Sequence, residues 1–326
     1  MLKTALVGCG NVSRMHFNAL AQLGCSEITA VCDIVPGRAD AKAKEYGAAA
    51  YYDFEDMLKN AGFDVLHICT PHYLHPPMAI AAMEADKAVF CEKPMAMRLA
   101  DAEKIRDTEK RTGAYFGCCF QNRYNLSSKE VRRAIDSGEL GEITGIRAFV
   151  TWDRGEDYYR ADDWHGTLEK EGGGVCINQA IHTLDLLQWF AGADITDVKG
   201  SISQKRLAGV VETEDTADAL ITFSNGARAV FYGTLCYTAN SPVFIEVLGS
   251  RGKAVISDEL TLFTESGTKT MPLTQAAGPK GYWGDGHIAA IQDFYGAIQE
   301  RRPFMIDADE AMKAVKIVEG IYHDRM

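Results

Sequence analysis

Long apolar runs are missing from this sequence. No stretch approaches the roughly 18 residues that a membrane-spanning helix needs, so no membrane span is expected. Positive charge is scarce as well: 34 Lys and Arg stand against 45 Asp and Glu, a net charge of −11. Nucleic acids and anionic bilayers are bound by clustered Lys and Arg, so neither is an expected partner. Nine cysteines are scattered without a CxxC pair, and an odd count leaves no fully paired disulfide framework. Cys9, Cys32, Cys69 and Cys91 each close an apolar run, where a thiol packs as a small hydrophobe. Cys118-Cys119 reads as a strand pair, one side chain to each face. A reducing, cytoplasmic compartment is the expectation. No His or Cys pair has metal-ligand spacing, so no metal is expected. His72 and His75, three apart after a strand, suit a cofactor loop better. The start, MLKTALVGCGN, already reads as a strand entering a Gly turn, which speaks against a secretory leader. Internal repeats and low-complexity linkers are absent too.

What is present is an ordinary globular composition of 326 residues, 47% hydrophobic and 24% charged, enough for about two domains. Short apolar runs recur at 4–7, 28–32, 64–69, 87–91 and 114–118. Helical patterns lie between them near 13–23, 38–46, 73–85 and 99–112. Strands alternating with helices imply a parallel sheet covered on both faces. Ligands of such sheets bind beyond the carboxyl ends of the strands. The residues there are chemically varied: Gly8, Gly10, Asn11 and Val12; Asp33; Thr70, Pro71, His72 and His75; Glu92 and Lys93; Gln121 to Tyr124.

The first turn, LVGCGNVS, has Gly8 and Gly10 at the first two positions of a dinucleotide fingerprint and Ser13 at the third. Glycines there let the backbone approach a pyrophosphate, and the following helix start offers free N–H groups. Asp33 ends the second strand, where a carboxylate accepts from ribose hydroxyls. A carboxylate repels a 2′-phosphate, so NAD is favoured over NADP, although Arg38 is placed to contact either the adenine or such a phosphate. The expected cofactor contacts are Gly8, Gly10, Asn11, Val12, Asp33, Arg38, Thr70, Pro71, His72, His75, Glu92, Lys93 and Gln121.

TALVGCGNVSRMH, CTPHYLHPPMAIAAM, VFCEKPMA and GGGVCINQAIHTLDLLQW occur here in the order found in the Gfo/Idh/MocA oxidoreductases, and the sequence resembles that family over its whole length. WDR, YY, WHGT and NQAIH resemble the subgroup acting at the 3-position of sugars. The resemblance implies an α/β protein. An N-terminal Rossmann domain, residues 1–119, would be followed by a C-terminal α/β domain, residues 120–326, with a large, mostly antiparallel open sheet. The closing helices would pack back on the first domain. It further implies a sugar or polyol substrate and a homo-dimer or homo-tetramer. The sequence itself supports the second sheet. Segments 143–151, 197–203, 217–223, 227–234, 243–248, 253–257 and 260–264 read as strands. Ser224-Asn225-Gly226 and Gly249-Ser250-Arg251-Gly252 read as hairpin turns. Two helices close the chain, His287–Glu300 and one starting at Asp307, with Glu310 at capping-box spacing.

Two catalytic residues are implied by the resemblance. Lys93, held by Pro94, would bond the reacting oxygen and stabilise its developing charge. His182 would be the general base, since imidazole titrates near working pH. On a helix from 175 to 190, Asn178, His182 and Asp185 fall on one face. Many family members carry Asp four residues before the His; here Asn178 stands there, and an amide cannot hold a proton. Asp185 would orient His182 or make a structural hydrogen bond. Trp152, Arg154, Tyr158, Tyr159, Arg160, Trp164 and His165 offer aromatic faces for sugar rings and guanidinium forks for carboxylates or phosphates. Asn122, Arg123, Trp152, Arg154, Tyr158, Trp164, Asn178, His182 and Tyr282 are the expected substrate contacts, and His287 is a further candidate beside Tyr282. The leading reading is an NAD-dependent dehydrogenase. A cofactor-binding regulator without chemistry is the alternative, motivated by Asn178 and opposed by the retention of Lys93 and His182. Zinc-dependent chemistry is a third, poorly supported one.

Overall fold

Each of the five apolar runs forms a strand of one parallel sheet. The computed structural model describes residues 1–273 and 286–323. In the first of two units, residues 1–121 and 287–312, the elements alternate. They are β1 (Leu2–Val7), α1 (Ser13–Leu23), β2 (Ser26–Cys32), α2 (Pro36–Tyr46), β3 (Ala49–Tyr51), α3 (Phe54–Asn60), β4 (Val65–Ile68), α4 (His75–Glu84), β5 (Ala88–Glu92), α5 (Leu99–Thr112) and β6 (Phe116–Cys119). The sheet order is β3-β2-β1-β4-β5-β6, all parallel. This is the doubly wound order, with the strand direction of travel reversing beside β1. Leu6, Val31, Val65, Leu66, Val89 and Phe90 are fully buried, as strands covered on both faces require. β3 and α3 were not expected. β3 is three residues long, and α3 starts from Asp53, whose side chain accepts the Asp56 N–H at 2.9 Å.

The second unit holds residues 122–286 and 313–326. Its elements are α6 (Leu126–Asp136), β7 (Ile143–Thr151), α7 (Glu156–Tyr159), α8 (Ile181–Ala191), β8 (Ile195–Ser203), β9 (Thr216–Phe223), β10 (Arg228–Thr234), β11 (Phe244–Gly249), β12 (Lys253–Ile256), β13 (Glu259–Thr264) and β14 (Gly267–Pro272). They form an eight-stranded sheet, β14-β13-β12-β11-β7-β10-β9-β8, antiparallel except for β7 with β10. β9 alternates buried and accessible residues, the signature of one covered face. The Gly226 turn closes the β9–β10 hairpin, with Gly226 at φ +85°. α6 and β14 were missed by sequence reading: the buried stripe of α6 is Ser128, Val131 and Ala134, and β14 is an exposed edge. α9 (Gly286–Glu300) follows the gap in the described residues. α10 (Ala308–Tyr322) is capped by Asp307, which accepts the Glu310 N–H at 3.0 Å.

Candidate active site

Gly8 has φ +87°, and a Cβ there would lie 2.5 Å from the Cys69 carbonyl oxygen. No other residue fits that turn. Gly10 is the reverse case, with nothing within 4 Å of an added Cβ. Open space lies there, beside a helix start whose Val12 supplies no side-chain cap. Ser13 Oγ donates to the Gly10 carbonyl at 2.7 Å, so the third fingerprint residue fastens the turn. Asp33 is buried. Its Oδ2 accepts the Cys9 N–H at 2.8 Å and its Oδ1 accepts the Val35 N–H at 2.8 Å. Two backbone bonds fix the carboxylate at the carboxyl end of β2 and leave lone pairs for a ribose. Asn11 and Arg38 are exposed and Val12 is half-buried. These features fit a dinucleotide.

The other expected cofactor contacts divide. Lys93, Thr70 and Pro71 are half-buried. Lys93 follows β5, its N–H donating to Glu92 Oε2 at 3.2 Å, and the Lys93–Pro94 peptide is cis. His75 is a correction: it is buried, with Nδ1 2.7 Å from the Pro94 carbonyl and Nε2 2.8 Å from the Thr70 carbonyl. The ring sits between the loop after β4 and the Lys93 turn, one nitrogen against each carbonyl, so His75 braces that turn. Burial pushes its pKa down, against the pull of the two carbonyls. Glu92 is a second correction. It is buried against His16, Nε2 to Oε1 2.8 Å. Burial alone would raise its pKa, but the His16 hydrogen bond, the His16 and His287 rings and Lys93 together hold it well below the usual carboxylate range. His72 and Gln121 are also buried.

In the second unit, the expected single helix from 175 to 190 is interrupted. Val175–Gln179 form a π turn, with the Ala180 N–H bonded to the Val175 carbonyl at 2.7 Å, before α8 begins at Ile181. The extra residue breaks the α register on which a shared face for Asn178, His182 and Asp185 rested. Such turns cluster at functional sites. His182 is half-buried in the first turn of α8. Asn178 Nδ2 donates to Glu171 Oε1 at 2.5 Å, and Glu171, fully buried, also accepts the Gly166 N–H. Glu214 accepts the N–H groups of Gly174 and Cys176 at 3.0 and 3.1 Å and the Tyr322 hydroxyl at 2.6 Å. Two buried carboxylates thus build this turn, and the sequence reading named neither. Glu171 lies in EKEGGG, which reads as a charged loop.

Arg123 is a third correction. It is fully buried, forked onto Asp185 through Nε at 2.8 Å and a terminal nitrogen at 2.6 Å, with Trp189 5.3 Å from the guanidinium carbon. No ligand reaches it, and Asp185 is committed to that fork. Trp152 is buried too, with Nε1 donating to the Ser241 carbonyl at 3.1 Å. Arg154 lies over the Trp152 and Tyr158 rings, 5.1 and 5.7 Å from their centroids. Arg154, Tyr158, Trp164, His165 and Asn122 are half-buried, Tyr159 is buried, and Arg160 is exposed and paired with Glu156. The Trp164 and His165 rings lie tilted by 32°, with centroids 3.7 Å apart. Tyr282 lies outside the described residues. His287 belongs to the first unit and is buried, its Nε2 3.9 Å from Glu92. His16, Glu92 and Cys119 bring ligand-type atoms within 4.8 Å of one another. The His16–Glu92 distance is that of a hydrogen bond.

A doubly wound sheet with a Gly turn at β1, an anchored carboxylate at β2 and a Lys-Pro turn at β5 defines an NAD-binding oxidoreductase. The chain belongs to the Gfo/Idh/MocA family. Residues 2–120 match its "Oxidoreductase family, NAD-binding Rossmann fold" profile, and residues 128–255 match its C-terminal domain. Inositol 2-dehydrogenase of Salmonella typhimurium is 31% identical over 202 residues, an overlap covering 61% of this chain and 57% of that relative. D-glucoside 3-dehydrogenase of Escherichia coli is 25% identical, covering 98% of this chain and 94% of the relative. The WlbA dehydrogenase of Bordetella pertussis, solved with NADH and UDP-GlcNAcA, is 29% identical with a TM-score of 0.86, covering 99% of this chain and 95% of that one.

Proposed function

We propose that this protein is an NAD-dependent dehydrogenase acting on a secondary alcohol of a sugar, sugar derivative or cyclitol. The observation that carries this reading is Lys93, on a turn braced by His75 through Pro94, at the carboxyl edge of the sheet that also bears the Gly8 turn and Asp33. Bound NAD supplies the hydride acceptor. The Lys93 ammonium donates to the reacting oxygen and stabilises its developing charge. His182 takes the hydroxyl proton. Asn178, whose Nδ2 donates to Glu171 Oε1, would orient a substrate hydroxyl but cannot hold a proton. Tyr158 and Trp164 supply ring faces, and Arg154 a cation, for a sugar or sugar acid. The names of the relatives support the substrate class, since they include a glucoside 3-dehydrogenase and a dehydrogenase solved with a nucleotide sugar acid. Asp33 favours NAD over NADP. Nine free cysteines support a reducing, cytoplasmic setting, and the family resemblance a homo-dimer or homo-tetramer. The test is turnover with a panel of inositols, methyl glycosides and nucleotide sugars, followed by absorbance of the reduced cofactor. Oxidation of one compound class with NAD is expected; no turnover of any with either cofactor overturns the reading.

A further inference from the structure

A continuous line of buried polar groups crosses the first unit. β1, β4 and β5 place Thr4, His67 and Phe90 on one face of the sheet, since Thr4 pairs with Val65, and Leu6 with His67, in parallel register, and His67 pairs with Phe90. Glu92 ends β5 on that face. α1 adds His16 and α9 adds Tyr295. Thr4 Oγ1 is 2.9 Å from Ser26 Oγ and 2.6 Å from the Tyr295 hydroxyl. Tyr295 is 3.0 Å from His67 Nε2, His67 Nδ1 is 2.8 Å from His16 Nδ1, and His16 Nε2 is 2.8 Å from Glu92 Oε1. Thr4, His16 and His67 have no exposure, and Tyr295 and Glu92 have 1% and 4%. Phe90 packs against both imidazoles, with centroids 5.8 and 5.3 Å away. Ser26, at the amino end of β2, is half-buried. The line therefore runs from the amino edge of the sheet to the turn that carries Lys93.

The hydrogens of this line can be assigned without conflict. Thr4 Oγ1–H donates to Ser26 Oγ, so the Tyr295 hydroxyl donates to Thr4 and His67 Nε2–H donates to Tyr295. His67 Nδ1 then accepts from His16 Nδ1–H, and His16 Nε2–H donates to Glu92 Oε1, so His16 stands as an imidazolium against the carboxylate. Each link from His16 outward donates toward Ser26.

We propose that this line is a proton path between His16, beside the Glu92–Lys93 turn, and solvent at Ser26. Each group passes on the proton it held: His16 Nδ1 to His67 Nδ1, His67 Nε2 to Tyr295, Tyr295 to Thr4, Thr4 to Ser26, and Ser26 Oγ to water. His16 keeps its Nε2 proton and ends as a neutral imidazole facing the Glu92 carboxylate. Only O–H and N–H bonds form and break, the line loses one proton, and the reverse sequence returns it. Its use in the reaction rests on the role given to Lys93; its existence does not.

The experiment uses the free protein, so it is independent of any turnover. Histidines are labelled with 15N, and the exchange of the His16 and His67 ring protons with water is measured by NMR. Tyr295→Phe removes one hydroxyl and keeps the ring. A proton path predicts ring-proton exchange slower than wild type by about tenfold or more in that variant, because buried protons then escape only by local opening. A static network predicts equal or faster exchange, since losing a hydrogen bond eases opening. Either of those results overturns the proposal. Thr4→Val cuts the same line one link further out and touches neither histidine. It is expected to slow exchange likewise, and it decides the matter if Tyr295→Phe does not fold.

Discussion

Replacing Arg123 by Leu is expected to show in stability and not in substrate binding. The guanidinium has no solvent exposure and forks onto an equally buried Asp185 at 2.8 and 2.6 Å. Removing the cation leaves the Asp185 charge without its guanidinium, although Gln188 Nε2 still donates to Oδ1 at 3.2 Å. Breaking a buried pair from one side costs about 3–5 kcal/mol, most of it the uncompensated charge. In a unit of this size that is a fall in Tm of roughly 6 to 20 °C. Asp185→Leu should fall by a similar amount. The double replacement Arg123→Leu with Asp185→Leu should regain much of the loss, since an apolar pair leaves no charge behind. Differential scanning calorimetry reads all three, and KM for the substrate is read well below the lowered Tm. A raised KM in Arg123→Leu with Tm unchanged would refute the structural role.

Asn178→Asp sets a second carboxylate against the buried Glu171. The pair should share one proton at neutral pH, costing about 4 kcal/mol through a pKa raised by roughly three units. Asn178→Asp with Glu171→Gln should restore Tm, and equal Tm in the single and double variants counts against the contact. Burial and the nearby Asp307 push the Glu109 pKa from 4.5 up to about 7, despite N–H bonds from Phe116 and Ala308. The folded state then holds a proton that the unfolded chain has lost, so stability should fall as pH rises from about 4.5 to 7. The drop is at most about 3 kcal/mol. Glu109→Gln should flatten that limb in denaturant titrations, and an unchanged slope would rule the group out. Asp33→Ala should raise the NAD KM roughly 10- to 100-fold, the worth of hydrogen bonds to a charged acceptor, and improve relative use of NADP. Wild-type preference for NADP would contradict the role given to Asp33.

The parts of this molecule that were legible in the sequence are those whose constraints are local. Gly8 was readable because its positive φ belongs to one turn, whereas the approach of Cys69 from the end of β4 shows only in the fold. The Asp307 cap and the Gly226 hairpin were readable for the same reason. The π turn was not, because its extra residue is held by Glu171 and Glu214, carboxylates that reach it through the fold rather than through spacing. Arg123 resembled a ligand clamp because a fork for Asp185 and a fork for a substrate carboxylate have the same sequence. His67 sits in VLHI and Glu92 in AVFCE, each one polar residue inside an apolar strand. Only the sheet register shows that they lie on one face with Thr4. The α3 and α6 helices were lost because each is short or buries Ser and Ala along its covered stripe.

The central claim is that a carbinol hydrogen leaves the substrate as hydride for bound NAD while Lys93 holds the oxygen. The most direct measurement follows deuterium from a substrate labelled at the reacting carbon, in wild type and in Lys93→Met. Wild type is expected to place the label on C4 of the nicotinamide, with a primary isotope effect on single-turnover rates. Lys93→Met is expected to bind NAD with little change and to transfer the label about 100-fold more slowly or worse, the scale of losing one charged donor to a developing oxyanion. Label lost to solvent, or a Lys93→Met variant that transfers it within a few-fold of wild type, would contradict the account.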